Sequence, residues 1–367
     1  MGLDMTRAFN FSAGPAAIPT EVLERAQKEL LNWNGYGCSV MELGHRTPDF
    51  QEILDKTEAD LRKLLNIPKN YKVLFMHGSA SHQFAMVPMN FLAPGETANY
   101  LEMDHWSRMC IKEANRFGDM HIQQGIRTNS DGLLELVPES EWSLDENGKY
   151  LHFTSNETIV GVQFQDDPQS FSGKLVSDMC SDILSRPIDI EKYALIYAGA
   201  QKNIGPSGMT VVIVREDLLE TFQTERVPSL FQYPYVSSKG SMPNTPPSFG
   251  IYFAGLVFEW LLEQGGIEEM HKRNLQKAHM LYDYVDQSDF YHSPVAKGSR
   301  SFMNVAIQMK DRNHEERFLH EARESHLIAL KGHKTFGGLR ASIYNAMSIE
   351  GVETLIRFMD QFEQKLK

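Results

Sequence analysis

An α/β fold, with a mainly parallel sheet in a large unit followed by a smaller α+β unit, is what the sequence predicts. Unbroken apolar runs such as Tyr193–Tyr197 and Met209–Val214 have strand length and suit strands buried on both faces of a parallel sheet. Stretches of helical periodicity separate such runs. After Gly265-Gly266 the alternation gives way to a helix, two more apolar runs and a last helix. A length of 367 residues allows two domains at roughly 150 residues each.

Taken in order, Phe9–Pro15 reads as an extended, then turning segment. A helix over Thr20–Trp33 follows, with Thr20 as N-cap and Val22, Leu23, Ala26, Leu30 and Leu31 on one face. The next helix spans Asp49–Leu65; Asp49 and Glu52 have capping-box spacing, and Ile53, Leu54, Thr57, Leu61, Leu64 and Leu65 form its stripe. Strands are expected at Tyr71–Met76, Thr97–Leu101, Leu151–Thr154 and Lys174–Ser177, ahead of the two runs already named. The Pro-rich stretch Met242–Pro247 leads into a helix over Phe249–Gln264, and another runs to about Val285. Strands near Ser301–Gln308 and Leu339–Ser342 and a helix over Gly351–Leu366 complete the smaller unit.

Composition excludes several partners. A formal charge of -12 argues against broad contact with nucleic acid or anionic membrane, so any anion site must be built locally. Apolar runs such as Met209–Val214 are far too short to span a bilayer. Met1–Asn10 has no apolar core and carries Asp4, so no secretory signal is expected. Cys38, Cys110 and Cys180 are odd in number and form no CxxC pair; they read as reduced thiols of a cytosolic protein.

In parallel sheets ligands sit beyond the carboxyl ends of the strands, which here means His77–His82, Asp178 and Gly199–Lys202. Lys202 lies in a small-residue turn between two apolar runs. An amine desolvated there is pushed toward the neutral, nucleophilic form that Schiff-base chemistry requires; the alternative is a solvated loop lysine. Asp178 either pairs with a protonated pyridine nitrogen or caps a following helix. HGSASHQF, His77–Phe84, enters a helix, so the amides of Ala80 and Ser81 and the Ser81 hydroxyl can seat a phosphate, unless the loop is merely tolerant of small residues. Trp106 either stacks on a flat ring or packs in the core, and Thr158 either donates to a ligand or serves its turn.

SAGPA at Ser12–Ala16, SVMELGHR at Ser39–Arg46, SNETI at Ser155–Ile159, IYAGAQKNIGPSG at Ile196–Gly208, NTPPSF at Asn244–Phe249 and GGLRASIYNA at Gly337–Ala346 resemble the phosphoserine aminotransferase family, within the class-V aminotransferases. They occur in the family's order and cover nearly the whole chain from Phe9. The resemblance implies the fold-type I architecture, with a mainly parallel seven-stranded sheet in the large domain, pyridoxal 5'-phosphate as cofactor, and a homodimer with active sites at the subunit interface. We accordingly divide the chain into 16–265, which would bind the cofactor, and a small domain of 1–15 with 266–367. By the same resemblance Lys202 is the Schiff-base lysine, Asp178 the partner of the ring nitrogen, and Trp106 the stacking residue. Ala80, Ser81, Thr158 and Gln201 would hold the cofactor, with Asn244 and Thr245 reaching its phosphate from the neighbouring subunit. Arg340 would fork onto the substrate α-carboxylate, and His45 with Arg46 would meet the distal anion. The implied reaction exchanges the amino group between glutamate and 3-phosphohydroxypyruvate, and in many bacteria the family also makes 4-phosphohydroxythreonine for pyridoxine synthesis.

Some positions depart from the family. Bacterial members carry a Gly-Arg pair where Ala80-Ser81 stands, and His82 or the cationic run Lys331, His333 and Lys334 is the candidate replacement for the missing charge. Lys334 stands where arginine is expected, replacing a fork with a point charge, and Ala13 stands where some members have serine. Rival readings fare worse. Gly35-Tyr36-Gly37 begins a GxG pattern, but Val40 replaces the third glycine and a helix precedes it. His314, Glu315 and His320 lack zinc-helix spacing, and no GxSxG occurs. Another fold-type I aminotransferase for small anionic amino acids, a sulfur-removing lyase and a non-catalytic cofactor-binding protein remain as alternatives.

Overall fold

The structure, a computed structural model, describes residues 7–169, 171–223 and 225–367. Met1–Thr6, part of the stretch read for a secretory signal, lie outside the described residues.

Its centre is a seven-stranded sheet. In chain order the strands are β1 (Tyr71–His77), β2 (Asn99–Glu102), β3 (His121–Gln124), β4 (Leu151–Thr154), β5 (Leu175–Asp178), β6 (Tyr193–Gly199) and β7 (Met209–Arg215). Their spatial order is β1-β7-β6-β5-β4-β2-β3. All neighbouring pairs are parallel except those of β7, which runs antiparallel to both β1 and β6. Every residue of β4, β5 and β6 is buried, so none of them shows an apolar–polar alternation, and β6 is an unbroken apolar run.

Helices cover both faces. α1 (Thr20–Glu29), α2 (Pro48–Leu65) and α5 (Ser248–Glu263) pack on the face carrying Val73 and Phe75. α3 (Ala80–Phe91) and α4 (His105–Ala114) pack on the opposite face, against Leu74 and Met76. All six predicted stripe residues of α2 are buried. After Gly265 and Gly266, both at positive φ, come α6 (Gly266–Gln287), α7 (Glu315–Glu324) and α8 (Ile349–Gln364), which share an apolar cluster with Phe11 and a three-stranded antiparallel sheet. That sheet contains β8 (Tyr291–His292), β9 (Asn304–Met309) and β10 (Leu339–Ser342).

Two helix starts differ from expectation. Thr20 is the first helical residue of α1, and its hydroxyl accepts from Arg7 at 2.5 Å instead of capping; Pro19 precedes it. The helix also ends at Glu29, because Trp33–Gly35 forms a separate tight turn with Asn34 at positive φ. α2 is capped by the Thr47 hydroxyl, which accepts from Phe50 N–H at 3.4 Å, with Pro48 at the first position. Asp49 sits inside the first turn, where its charge suits the helix dipole.

Candidate active site

The carboxyl ends of β1, β4, β5 and β6 open on one cavity of about 390 Å³. Gly78 leaves β1 with φ +103, and a Cβ there would lie 2.7 Å from His82 Nδ1, so the tight entry to α3 requires glycine. The Ser79 N–H donates to that nitrogen at 3.0 Å, which shapes the first turn. Ala80 and Ser81 begin α3, so their amides have no carbonyl within the helix to donate to. Both line the cavity, as an anion seat requires.

Lys202 follows β6. Its Nζ donates to Thr158 Oγ1 at 2.7 Å, and both residues line the cavity with Gln201. Asp178 ends β5 and is 5% exposed. No helix follows it, so the capping alternative is not realised; its Oδ1 instead accepts from Cys180 N–H in a turn, at 2.9 Å. Burial pushes the carboxyl up from its ordinary value, against hydrogen bonds from Cys180, the Lys202 charge and the Tyr197 hydroxyl. A buried carboxylate without an ion-pair partner among the described residues calls for a cation in the cavity.

Arg340, on β10, reaches the cavity from the smaller sheet, and its Nη1 donates to the Thr158 carbonyl at 3.3 Å. It makes no ion pair among the described residues, so its fork is open to a carboxylate brought by a ligand. Arg340→Ala should raise the KM for amino-acid substrates at least about tenfold while leaving cofactor content intact. Equal Michaelis constants in steady-state assays would remove Arg340 from that role.

Trp106, second residue of α4, lines the cavity and is 37% exposed. Beneath it lies a group the sequence reading passed over. Glu157 is fully buried; its Oε1 accepts from Trp106 N–H at 3.1 Å and its Oε2 has no partner among the described residues. Burial raises this carboxyl to about 8, against the Trp106 hydrogen bond. The folded protein therefore binds a proton that the unfolded chain releases, and stability is lost as pH rises from the ordinary carboxylate range through about 8. In Glu157→Gln the urea midpoint should fall less between pH 5 and 8 than in the parent. Identical slopes would show that Glu157 does not titrate in that range.

Cys180, expected to be a structural thiol, is also part of the cavity wall. Burial pushes its pKa well up, so it stays a thiol and is no nucleophile for sulfur removal. Asn156 and Ser181 line the cavity too, tied by a 2.9 Å bond, and Asn156 reaches Asn304 of the smaller sheet at 2.8 Å. The segment quoted as SNETI was the available signal for Asn156 and Glu157.

His333 lines the cavity, its Nδ1 2.7 Å from Thr335 Oγ1, whereas the neighbouring Lys334 is exposed and does not. His45, Arg46, Asn244 and Thr245 do not line it either; Arg46, Asn244 and Thr245 are exposed. The Thr245 carbonyl nonetheless lies 2.8 Å from His77 Nε2, directly before the α3 entry. A larger depression, about 640 Å³, is bounded by Arg7, Trp260, Lys277 and Ser348 and contains none of the groups above. Its buried amine, Lys277, is occupied by the carbonyls of Ile343, Tyr344 and Met347 at 2.7 to 3.0 Å.

The family model described as aminotransferase class-V matches residues 8–355. The chain belongs to the class-V aminotransferases. It is 52% identical over 359 residues to the phosphoserine aminotransferase of Acinetobacter baylyi, covering 98% of this chain and 99% of that one. Among solved structures, the phosphoserine aminotransferase from Bacillus circulans subsp. alkalophilus superposes with a TM-score of 0.94 at 45% identity, covering 98% of this aminotransferase and 99% of that chain. A phosphoserine aminotransferase from Trichomonas vaginalis, solved with PLP bound, gives 0.91 at 37% identity over 96% of this chain and 100% of its own. The seven-stranded sheet flanked by helices is the fold-type I aminotransferase architecture expected from the motifs.

Proposed function

We propose that this class-V aminotransferase is a phosphoserine aminotransferase, exchanging the amino group reversibly between L-glutamate and 3-phosphohydroxypyruvate to give O-phospho-L-serine and 2-oxoglutarate, a step of L-serine biosynthesis. The observation that carries this reading is Lys202, the buried Asp178 and the unpaired Arg340 meeting around one cavity, in a chain 52% identical over 98% of its length to a phosphoserine aminotransferase. The same site would accept 4-phosphohydroxythreonine, which presents the same carboxylate and phosphate, and so serve pyridoxine synthesis.

The residues suit pyridoxal 5'-phosphate. Asp178 offers a buried carboxylate for a protonated ring nitrogen, the α3 amides would take a phosphate, and the Trp106 indole offers an apolar plane. When bound, the cofactor supplies an electron sink for the negative charge that develops at the substrate α-carbon. Lys202 would hold the cofactor through its amine, and the same amine would move the proton at that carbon. Thr158 steadies Lys202 through their 2.7 Å hydrogen bond. Arg340 orients the substrate through its carboxylate, and His333 adds a polar group at the rim.

We further propose a cytoplasmic homodimer divided at about residue 265 into a large domain and a small one that includes the first fifteen residues. Tyr36 and Met41, 54% exposed and close in sequence to His45 and Arg46, give that face an apolar character suited to a second subunit, which would bring His45, Arg46, Asn244 and Thr245 to its neighbour's cavity. A transamination assay with 2-oxoglutarate tests the substrate. O-phosphoserine should exceed serine and aspartate as donor by about a hundredfold in kcat/KM. Comparable values for the three donors would overturn the reading.

A further inference from the structure

Asp178 has a second layer behind it. Tyr197 stands beside it in the β5–β6 ladder, fully buried, with its hydroxyl close enough to the Asp178 carboxyl to favour the ionised form. The same hydroxyl lies 2.9 Å from His152 Nε2, on β4 at the other side of β5. His152 is 1% exposed and held between two rings, Tyr100 at 4.9 Å and Tyr197 at 5.9 Å, with near-parallel planes of 22° and 29°. Its Nδ1 is buried and has no partner among the described residues.

We infer that Tyr197 and His152 are positioning residues whose relay, from His152 Nε2–H to the Tyr197 hydroxyl to Asp178, holds that carboxyl in its ionised form. This rests on the reading that Asp178 faces the ring nitrogen of the cofactor.

A hydroxyl carries one proton, so the relay has two neutral-histidine arrangements. In the first, Nε2–H donates to the tyrosine oxygen and the tyrosine donates to a carboxylate, a charge-assisted bond. In the second, a carboxylic acid donates to the tyrosine, which donates to Nε2 and leaves Nδ1–H buried with nothing to accept it. An orphaned buried N–H is the less tolerated of the two leftovers, because an unused acceptor lone pair is the commoner exception. An imidazolium would strand the same N–H, and burial accordingly pushes the His152 pKa down to about 3.

The surroundings act in the same sense or weakly. Lys202, from the β6–β7 connection, favours the carboxylate, as do the Cys180 hydrogen bonds. Cys110 of α4, 3.6 Å from His152 Nε2, stays a thiol because burial raises it. Glu157 is neutral up to about pH 8, and the charge of Asp182 is offset by Arg186 at 3.6 Å.

Two measurements on the cofactor-loaded protein test the relay. Long-range 1H–15N correlation spectra, with His152 assigned from a His152→Gln sample, should show a neutral ring protonated on Nε2 from pH 8 to below pH 5. An Nδ1–H ring or an imidazolium at pH 7 would overturn the relay, and this reading needs no variant to fold. In Tyr197→Phe, the dissociation constant for pyridoxal phosphate should rise about tenfold or more at neutral pH, the cost of one hydrogen bond to a charged group. The gap to the parent should widen as pH falls and the unsupported carboxyl takes up a proton. Curves offset equally at every pH, or coincident, would leave the tyrosine a packing residue and overturn the proposal. Borohydride fixation of the cofactor to Lys202 in the same variant separates this failure from failure of the cofactor reading itself.

Discussion

Lys202→Ala is expected to lower transamination by about ten-thousandfold or more, since it deletes both the covalent anchor and the group that moves the proton. The side chain has no substitute nearby. Thr158, its 2.7 Å partner, is a hydroxyl with no useful basicity at neutral pH, and the buried amine of Lys277 is tied to three carbonyls outside the cavity. Borohydride treatment followed by peptide mapping should find a reduced adduct on the peptide containing Lys202 in the parent and none in the variant. Small primary amines added to the assay should restore part of the lost rate, because the fold around the turn does not depend on the ammonium. Near-parental turnover in Lys202→Ala would end the mechanism proposed for this enzyme.

The second large effect belongs to Asp178. Removing one partner of a buried charge pair typically costs about 3–5 kcal/mol, so Asp178→Ala should lower kcat by about a thousandfold with cofactor bound. Asp178→Asn separates catalysis from stability. Burial raises this carboxyl, so without a bound cation its ionised form opposes folding; the stability present at low pH is lost as pH rises through the folded-state value. Cofactor-free Asp178→Asn should therefore resist urea better than the cofactor-free parent at pH 8, with the two converging as pH falls. A parent at least as stable as the variant at pH 8 would mean that the carboxylate is already compensated within the chain.

Much of this site could be read from sequence because strand ends announce themselves. Lys202 follows an unbroken apolar run and Asp178 ends a short strand, and the rule that ligands gather beyond strand ends pointed to both, which line one cavity. β3 was missed for the opposite reason: an edge strand with half its residues exposed, HIQQ, carries no apolar run. The direction of β7 was equally hidden, since MTVVIVR would suit either orientation, although the short helix-free connection from Gly199 to Met209 is too compact for a parallel crossover. At the start of α2, Thr47 and Asp49 stood close together as competing caps and Pro48 at the first position decided for Thr47, whereas at α1 Pro19 takes the cap position and Thr20 becomes the first helical residue. Glu157 escaped notice because a glutamate in a turn-like segment looks solvated until its burial is known. His45, Arg46, Asn244 and Thr245 could be named from motifs but not positioned, because nothing local to one chain brings them to the cavity.

The antiparallel strand β7 has a consequence for how this enzyme can change. It pairs Met209 with His77 on one side and Thr210 with Gly199 on the other, and Gly78 N–H donates to the Gly208 carbonyl at 3.0 Å. The span between the α3 amides and the Lys202 turn is thus set by two backbone ladders rather than by side chains. Substitutions can retune the rim, where His333 and Ser81 stand, but they cannot stretch that span. A single-residue insertion in β7 would turn its inward side chains outward and move the two anchors out of step, so heritable length variation should be absent from this strand and find room at the rim instead.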